Sequence, residues 1–303
     1  MLRSLLLYLS EREGPKKLLT GNPFGHRLAS RFIAGEEVED ALRVVRRVNA
    51  EGFMVTLDCL GESVREAAAA EAACETCLEL LARLAAEKLE SHVSVKLTQL
   101  GLAIDEGLAR RNLARLAESA ARHHNFVRVD MEGSAFTEAT LRVFCSVDAP
   151  RDVLGIAIQA YLHRTASDVD ELLRRGVRIR LVKGAYKEPP EIAFARKRDV
   201  DRSYQELTEK LLGSGIYHAI ATHDERILAA TERFARERGI APQNFEFQLL
   251  YGIRRQLQRA LVQQGWRVRL YVPYGREWYA YFMRRLAERP ANVLFLLRNV
   301  FRQ

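Results

Sequence analysis

The segment RIRLVKGAY, residues 178–186, combines the pattern of a buried strand with charges that such a strand rarely carries. Its β-branched and apolar residues indicate a strand, yet Arg180 and Lys183 stand near its end, directly before Gly184. A buried cation without an anionic partner costs several kcal/mol. The segment therefore predicts that an anion lies at this strand end.

Polar side chains also stand at the ends of the other predicted strands. In a barrel of parallel strands the carboxyl ends meet at one mouth, where such barrels carry their chemistry. The cations among these residues suit a small carboxylate together with a phosphate-bearing ligand. The set comprises Asp58, Lys96, Asp130, Glu132, Gln159, Arg180, Lys183, Thr222, His223, Asp224, Gln248, Tyr271 and Tyr274.

A predicted helix, GREWYAYFMRRLAERP, follows the last strand and is able to reach over the mouth. Tyr281, Arg284, Arg285 and Glu288 fall at helical spacing along one face of it. Two adjacent arginines can grip a carboxylate through forked, charge-assisted hydrogen bonds. This pair therefore predicts a carboxylate-binding site.

The elements that would position these residues are eight short β-branched or aromatic runs that alternate with helix-length segments. Eight such units favour an α/β fold of the (β/α)8 barrel type, with a doubly wound sheet as the alternative. We predict a single domain, 1–303, in which an N-terminal helical segment, 1–50, precedes the barrel and its C-terminal helices, 51–303. The runs cover residues 52–60, 92–100, 126–133, 152–161, 177–186, 216–224, 244–252 and 267–275.

Three charged residues stand two positions before the mouth residues of their strands. Arg128 precedes Asp130, Glu246 precedes Gln248, and Arg269 precedes Tyr271. Because side chains alternate along a strand, these three are predicted to point into the barrel and to pair there.

The overall charge of +8 is concentrated near the end of the chain, where residues 251–303 contain eleven arginines and two glutamates. Such a field leaves a nucleic-acid-binding protein open as an alternative. The arginines, however, alternate with core-like apolar residues and match no recognisable nucleic-acid-binding module. We therefore predict no nucleic-acid partner.

The four cysteines show no disulfide framework, which fits a reducing cytoplasm. Cys74 and Cys77 form a CxxC within an alanine-rich run, and we interpret this run as an ordinary helix rather than a redox or metal motif. The histidines lack partners at metal-ligand spacing, so no metal site is predicted. No apolar stretch reaches the length of a membrane span.

Seven ordered motifs identify a family: VSVKLTQLG, RVDMEG, AIQAYL, RLVKGAY, ATHD, EFQLLYGIR and YVPYGREWYAYFMRRLAE. Together they resemble the monofunctional proline dehydrogenases, from about residue 31 to residue 290. The resemblance implies a distorted (β/α)8 barrel that binds FAD and oxidises L-proline to Δ1-pyrroline-5-carboxylate. It also implies that electrons pass to a membrane quinone, so that a cytoplasmic enzyme would contact the inner face of the membrane peripherally.

The resemblance also assigns roles at the cofactor. Arg180 would lie beside the reactive nitrogen of the flavin and stabilise the negative charge that develops there. Thr222 and His223 would contact the dinucleotide part. The full cofactor set is Met131, Gln159, Arg180, Val182, Lys183, Gly184, Ala185, Thr222 and His223.

At the substrate, the resemblance implies that Arg284 and Arg285 hold the proline carboxylate, with Lys96 as a third cation. Tyr271 and Tyr281 would form walls around the ring. Asp130 would organise the cations, and with Arg180 it forms the predicted catalytic pair. A Schiff-base aldolase that uses Lys96 or Lys183, with Asp130 as proton shuttle, is the alternative enzyme.

Overall fold

The computed structural model describes residues 29–61 and 64–288, the last five of them by backbone alone. Within these residues, parallel strands form a closed barrel in chain order, β1 to β8, which confirms the predicted (β/α)8 fold. The strands are β1 Met54–Cys59, β2 Ser91–Lys96, β3 Val127–Asp130, β4 Leu154–Gln159, β5 Arg178–Val182, β6 His218–Ala221, β7 Phe245–Leu250 and β8 Val268–Tyr274.

Helices follow the strands and cover the outside of the barrel. The barrel closes where β8 pairs with β1, with Met54 opposite Arg269 and Cys59 opposite Tyr274. The α-helices are α1 Val38–Ala50, α2 Ala67–Ala86, α3 Glu106–Arg122, α4 Ser134–Ser146, α5 Thr165–Arg174, α6 Lys197–Gly213, α7 Glu225–Glu237, α8 Arg255–Gln263 and α9 Trp278–Glu288.

Helix α1 directly precedes β1, the first strand of the barrel. It buries one apolar face, which includes Leu42, Val45 and Val48, and it is followed by Gly52 with a φ of 84°. A left-handed glycine just beyond the last turn is a common way for a helix to end. Residues 1–28 of the predicted N-terminal segment lie outside the described residues.

The CxxC segment forms helix α2, as interpreted from the sequence, and buries Cys74 and Cys77 among leucines. Burial raises the pKa of the Cys74 thiol to about 11, against an opposing effect of Arg115. Within the described residues no helix is both long enough and apolar enough to cross a membrane.

His218 lies fully buried on the outer face of β6 and is held as a neutral ring. Its Nδ1 accepts a hydrogen bond from the Ile179 N–H at 3.0 Å, and its Nε2 lies 3.0 Å from Ser214 Oγ. Burial, followed by the charge of Arg128, lowers its pKa to about 3. Below pH 6.5 the unfolded chain therefore binds a proton here that the folded protein excludes.

Folding stability should consequently fall as the pH drops from about 6.5 towards 3. The loss is about 1.4 kcal/mol per pH unit from His218, or about 2 kcal/mol at pH 5. Urea unfolding at two pH values measures it. His218→Gln should reduce the pH dependence by this amount, whereas His124→Gln, at an exposed position, should leave it unchanged. An unchanged pH dependence in His218→Gln would contradict the assignment.

Candidate active site

Asp130, at the end of β3, stands at the centre of a buried network in the barrel mouth. Its Oδ1 accepts from Arg180 Nη1, and its Oδ2 accepts from the Tyr271 hydroxyl at 2.8 Å. Arg180 Nη2 also donates to Ser94 Oγ at 3.0 Å. Both carboxylate oxygens of Asp130 are thus engaged, and the predicted pairing of Asp130 with a cation is present.

Tyr271 forms a second contact with the same arginine. The Arg180 guanidinium lies 5.3 Å from the centre of the Tyr271 ring, in the range of a cation–π interaction. Burial, with the negative charge of Asp130 next, raises the pKa of Tyr271 well above its ordinary value. The side chain is therefore a neutral phenol that donates to Asp130 and fixes one face of Arg180.

Lys96 is held by a carboxylate from the neighbouring strand β1. Its Nζ lies 2.9 and 3.1 Å from the two oxygens of Asp58, and both side chains are buried. Burial raises the pKa of Asp58, with a further contribution from Asp130, and the charge of Lys96 opposes this. The Lys96–Asp58 pair is therefore a fixed feature beside the Asp130 network.

Gln159 and Glu132 form the floor on the β3 and β4 side of the mouth. Glu132 accepts from the Thr98 N–H at 3.1 Å and from Thr98 Oγ1 at 2.6 Å. Gln159 Nε2 donates to the Glu132 carbonyl at 2.9 Å, and Thr165 donates to the Gln159 carbonyl at 2.6 Å. These bonds join the ends of β3 and β4 into one rigid support.

Lys183, just after β5, is bound by two carboxylates from the following units. Its Nζ lies 2.6 Å from Asp201 Oδ1 on α6 and 2.9 Å from Asp224 Oδ2. Burial raises the pKa of each aspartate, but the hydrogen bonds and charges of Lys183 and, after it, Lys197 outweigh burial and lower both pKa values. These two carboxylates therefore balance the positive charge of Lys183 at the edge of the mouth.

Gly184 makes a turn that only glycine accommodates without strain. Its φ is 117°, and a Cβ at this position would lie 2.3 Å from the Tyr161 ring. The neighbouring backbone is anchored, because the Tyr161 N–H donates to the Lys183 carbonyl at 3.0 Å. At this turn, backbone atoms that no side chain covers therefore lie at the mouth beside β5.

Thr222 and His223 follow β6 and are fixed by local hydrogen bonds. Thr222 Oγ1 accepts from the Asp224 N–H at 3.1 Å, and His223 Nε2 accepts from the Leu250 N–H at 3.1 Å. Arg254, in a left-handed conformation, donates to the His223 carbonyl at 2.7 Å. The segment lies at the mouth between β6 and β7.

The remaining predicted residues fall into three environments. Met131 is buried with the core between barrel and helices, whereas Ala185 is exposed and Val182 half-buried at the end of β5. Tyr281 on α9 packs in a buried aromatic cluster with Phe32. Arg284 and Arg285 lie on α9, but their side chains are outside the described residues.

One expectation about the mouth is wrong. Tyr274 does not face it, because Tyr274 is three residues from Tyr271 and lies on the outer face of β8, buried in the core. Among the described side chains, the cations Lys96, Arg180 and Lys183 each pair with a carboxylate.

Two residues of the network escaped the sequence analysis. Ser94 stands two positions before Lys96, so strand alternation places both on the same inner face and could have identified it. Asp201 gave no signal, because it lies on a helix and 18 residues from Lys183. No group of three potential metal ligands occurs among the residues that the structure describes.

The arrangement combines a fixed guanidinium, a phenol and a buried ammonium around one mouth, which suits an oriented small zwitterion and a planar ligand. The family model for proline dehydrogenase matches residues 41–298. The chain belongs to the proline dehydrogenase family. Proline dehydrogenase 2 of Bacillus subtilis (strain 168) is 41% identical over 299 residues, covering 98% of each chain.

Further relatives agree with this assignment. Proline dehydrogenase of Deinococcus radiodurans is 37% identical over 305 residues, covering 99% of this chain and 98% of that protein. The crystal structure of proline utilization A from Bdellovibrio bacteriovorus, inactivated by N-propargylglycine, matches with a TM-score of 0.81 and 30% identity. That match covers 87% of this chain and 33% of the other, so this enzyme spans about a third of that protein.

Family membership makes the chain an oxidoreductase of proline catabolism that uses a redox cofactor. The aldolase alternative is therefore wrong. Its lysines have other partners here: Lys96 is paired with Asp58, and Lys183 is paired with Asp201 and Asp224.

Proposed function

We propose that this proline dehydrogenase binds FAD across the carboxyl ends of β4, β5 and β6 and oxidises L-proline to Δ1-pyrroline-5-carboxylate. One observation carries the proposal: Arg180 is buried and held by Asp130 and Ser94. Its Nε has no hydrogen-bond partner among the residues described. Buried donors are nearly always paired, and an acceptor atom of a ligand bound in the mouth would supply this partner.

The residues present fit the cofactor. Gly184 keeps bare backbone at the mouth, and a side chain at this position would clash with Tyr161. Arg180 would face the flavin ring, Gln159 and Met131 would contact it from β4 and β3, and Thr222 with His223 would hold the dinucleotide part. Lys183, Val182 and Ala185 would complete this side of the site.

When bound, FAD supplies the acceptor for the hydride that leaves the proline carbon next to nitrogen. The chain's own residues orient the substrate and stabilise charge. Arg284, Arg285 and Lys96 would hold the proline carboxylate, and Tyr271 with Tyr281 would wall the ring. Arg180 stabilises the negative charge that arises in the mouth, because its position is fixed before reaction.

Asp130 acts by positioning. Its two oxygens already accept from Arg180 and Tyr271. A carboxylate with both oxygens engaged holds its partners in place and is a poor acceptor for the substrate's amine proton. Asp130 and Arg180 thus form a preorganised catalytic pair.

The electrons would leave the enzyme to a membrane quinone. We propose a cytoplasmic enzyme that contacts the inner face of the membrane peripherally.

Cofactor identity tests the proposal directly. Heat denaturation of the purified protein should release one FAD per chain, identified by chromatography and mass. Gly184→Val should greatly reduce this ratio, because valine at a φ of 117° is strained and clashes with Tyr161. Gly213→Val, where the added Cβ has open space, is the control. A protein that contains no flavin and binds none would contradict the proposal.

Tyr271 provides a test of substrate specificity. Tyr271→Ser should remove a wall and leave room for the oxygen of 4-hydroxyproline, so the kcat/KM ratio of proline to hydroxyproline should fall by about tenfold or more. Tyr271→Phe keeps the wall and removes only the hydrogen bond to Asp130, so its ratio should stay near that of the wild type. An unchanged ratio in Tyr271→Ser would place this side chain outside the substrate pocket.

A further inference from the structure

The amino-terminal end of the barrel, opposite the mouth, contains inward-facing arginines that the reaction does not use. Arg128 is the second residue of β3, Arg178 the first of β5 and Arg269 the second of β8. Arg128 and Arg269 stand two residues before Asp130 and Tyr271, and Arg178 stands two residues before Arg180. All three side chains therefore point to the inner face of the barrel. We refer to these three residues as the basal arginines.

One basal arginine has a carboxylate partner. Arg269 Nε lies 2.8 and 3.0 Å from the two oxygens of Glu246, and Arg269 Nη1 donates to the Val55 carbonyl at 2.6 Å. The Tyr217 hydroxyl donates to Glu246 at 2.8 Å. Strand alternation predicted that Arg128, Glu246 and Arg269 pair inside the barrel. The structure confirms this for Arg269 and Glu246, but the prediction is wrong for Arg128, which donates to backbone carbonyls instead.

The other two basal arginines lack such a partner. Neither Arg128 nor Arg178 forms an ion pair with any carboxylate of the described residues. Arg128 is 2% exposed; it donates to the Arg178 carbonyl at 2.7 Å, and its Nε has no partner among these residues. The guanidinium of Arg178 stacks near the rings of Phe126 and Tyr217, at 5.7 and 5.6 Å. The basal layer therefore carries uncompensated positive charge.

Gly155 provides the space for this arrangement. A Cβ at Gly155 would lie 2.5 Å from the Arg178 carbonyl oxygen and 2.7 Å from Arg128 Nη1. The absence of a side chain in the middle of the layer lets Arg128 cross from β3 to β5. The position thus admits two guanidinium groups where a larger residue would displace them.

A cavity of about 590 Å³ opens from the basal layer to solvent. Arg178, Arg269, His92 and Phe126, which are buried or half-buried, line the cavity, and the exposed Lys88 marks its rim. Burial, followed by the charge of Arg269, lowers the pKa of His92 well below its ordinary value, so this ring adds a neutral polar group. Two carboxylates also line the cavity, Glu90 and Asp152, but both are exposed residues whose charges solvent screens.

We propose that this basal cavity binds a small oxyanion, a phosphate or a carboxylate, at the guanidinium of Arg178, beside the Arg269–Glu246 pair. Arginine forks bind such groups through paired, charge-assisted hydrogen bonds. A bound anion would also offset the charge of Arg128, which is otherwise buried without a carboxylate. The cavity lies at the opposite end of the strands from the proposed FAD and proline sites, so this is a second site.

Calorimetric melting of the flavin-loaded full-length protein tests the proposal, with inorganic phosphate and succinate as separate probes at constant ionic strength. One or both probes should raise Tm along a single-site curve. Arg178→Gln removes charge-assisted hydrogen bonds, so the same rise should need at least about tenfold more probe. Arg174→Gln, a matched loss of charge on an exposed ion-paired residue, should respond as the wild type does.

Each outcome decides the matter. A Tm that neither probe raises, or a rise that Arg178→Gln leaves unchanged, would overturn the proposal. A rise abolished by Arg285→Gln instead would place the anion at the mouth and overturn it as well. If Arg178→Gln does not fold, Lys88→Glu introduces a negative charge at the cavity rim and should weaken the response; an unweakened response would count against the site.

Discussion

Replacing Arg180 with lysine should lower kcat/KM for proline by about 10²–10³-fold, the usual cost of losing one preorganised donor in an active site. Lysine keeps the positive charge but lacks the planar fork through which Arg180 reaches Asp130 and Ser94, and it lacks the additional Nε donor. It also loses the planar face that stacks on Tyr271. Steady-state assays of product formation measure the effect.

Ser94→Ala is the matched control, because it removes one of the two bonds and leaves the guanidinium and Asp130 in place. We expect its kcat/KM to fall by only about fivefold, which corresponds to one hydrogen bond of about 1 kcal/mol. This fall is less than a tenth of the fold-change expected for Arg180→Lys. Equal kcat/KM for wild type and Arg180→Lys would remove Arg180 from the catalytic machinery.

The second large effect concerns the stability of the Lys96–Asp58 pair. Asp58→Asn leaves a buried ammonium without its carboxylate and should lower the free energy of unfolding by about 3–5 kcal/mol. Asp58 is 1% exposed and meets Lys96 with both oxygens, so neither charge can turn to solvent. Urea unfolding with excess FAD present measures the loss.

A double-mutant cycle separates the pair from its surroundings. The combined variant Asp58→Asn with Lys96→Met should lose less stability than the sum of the two single variants, by about 1–3 kcal/mol. Removing both charges leaves neither one buried alone. Additive losses would mean that the two side chains do not interact, contrary to their separation of 2.9 Å.

The barrel could be predicted because its strands carry an unambiguous local signal. Every predicted run overlaps a strand, but the runs extend too far at their carboxyl ends: residues 216–224 contain only His218–Ala221 as strand. Thr222, His223 and Asp224 are spaced as in a strand, yet local hydrogen bonds such as that from the Asp224 N–H to Thr222 turn the chain. The sequence carries only a weak signal for a turn of this kind.

The inner face of the site was predictable in part, by alternation along single strands. Position at the strand ends placed Asp130, Arg180 and Tyr271 at one mouth, and alternation placed Arg269 with Glu246. Tyr274 was misplaced because it was judged by its position at the strand end rather than by its parity with Tyr271.

The charge balance of the site could not be predicted, because it depends on contacts between distant parts of the chain. Lys183 meets Asp224, 41 residues away, and Lys96 meets Asp58, 38 residues away. A sequence shows how many cations stand at strand ends but not which carboxylates reach them. For the same reason, the sequence could not show that Arg128 lacks a carboxylate partner. Its nearest acceptor is the backbone carbonyl of Arg178.

Anaerobic mixing of the purified protein with L-proline tests the central claim most directly. We predict that the flavin absorbance bleaches completely with proline, that the product is Δ1-pyrroline-5-carboxylate in equal amount, and that Arg180→Lys bleaches about 10²–10³-fold more slowly. A flavin that proline leaves oxidised, or a protein without flavin, would contradict the account.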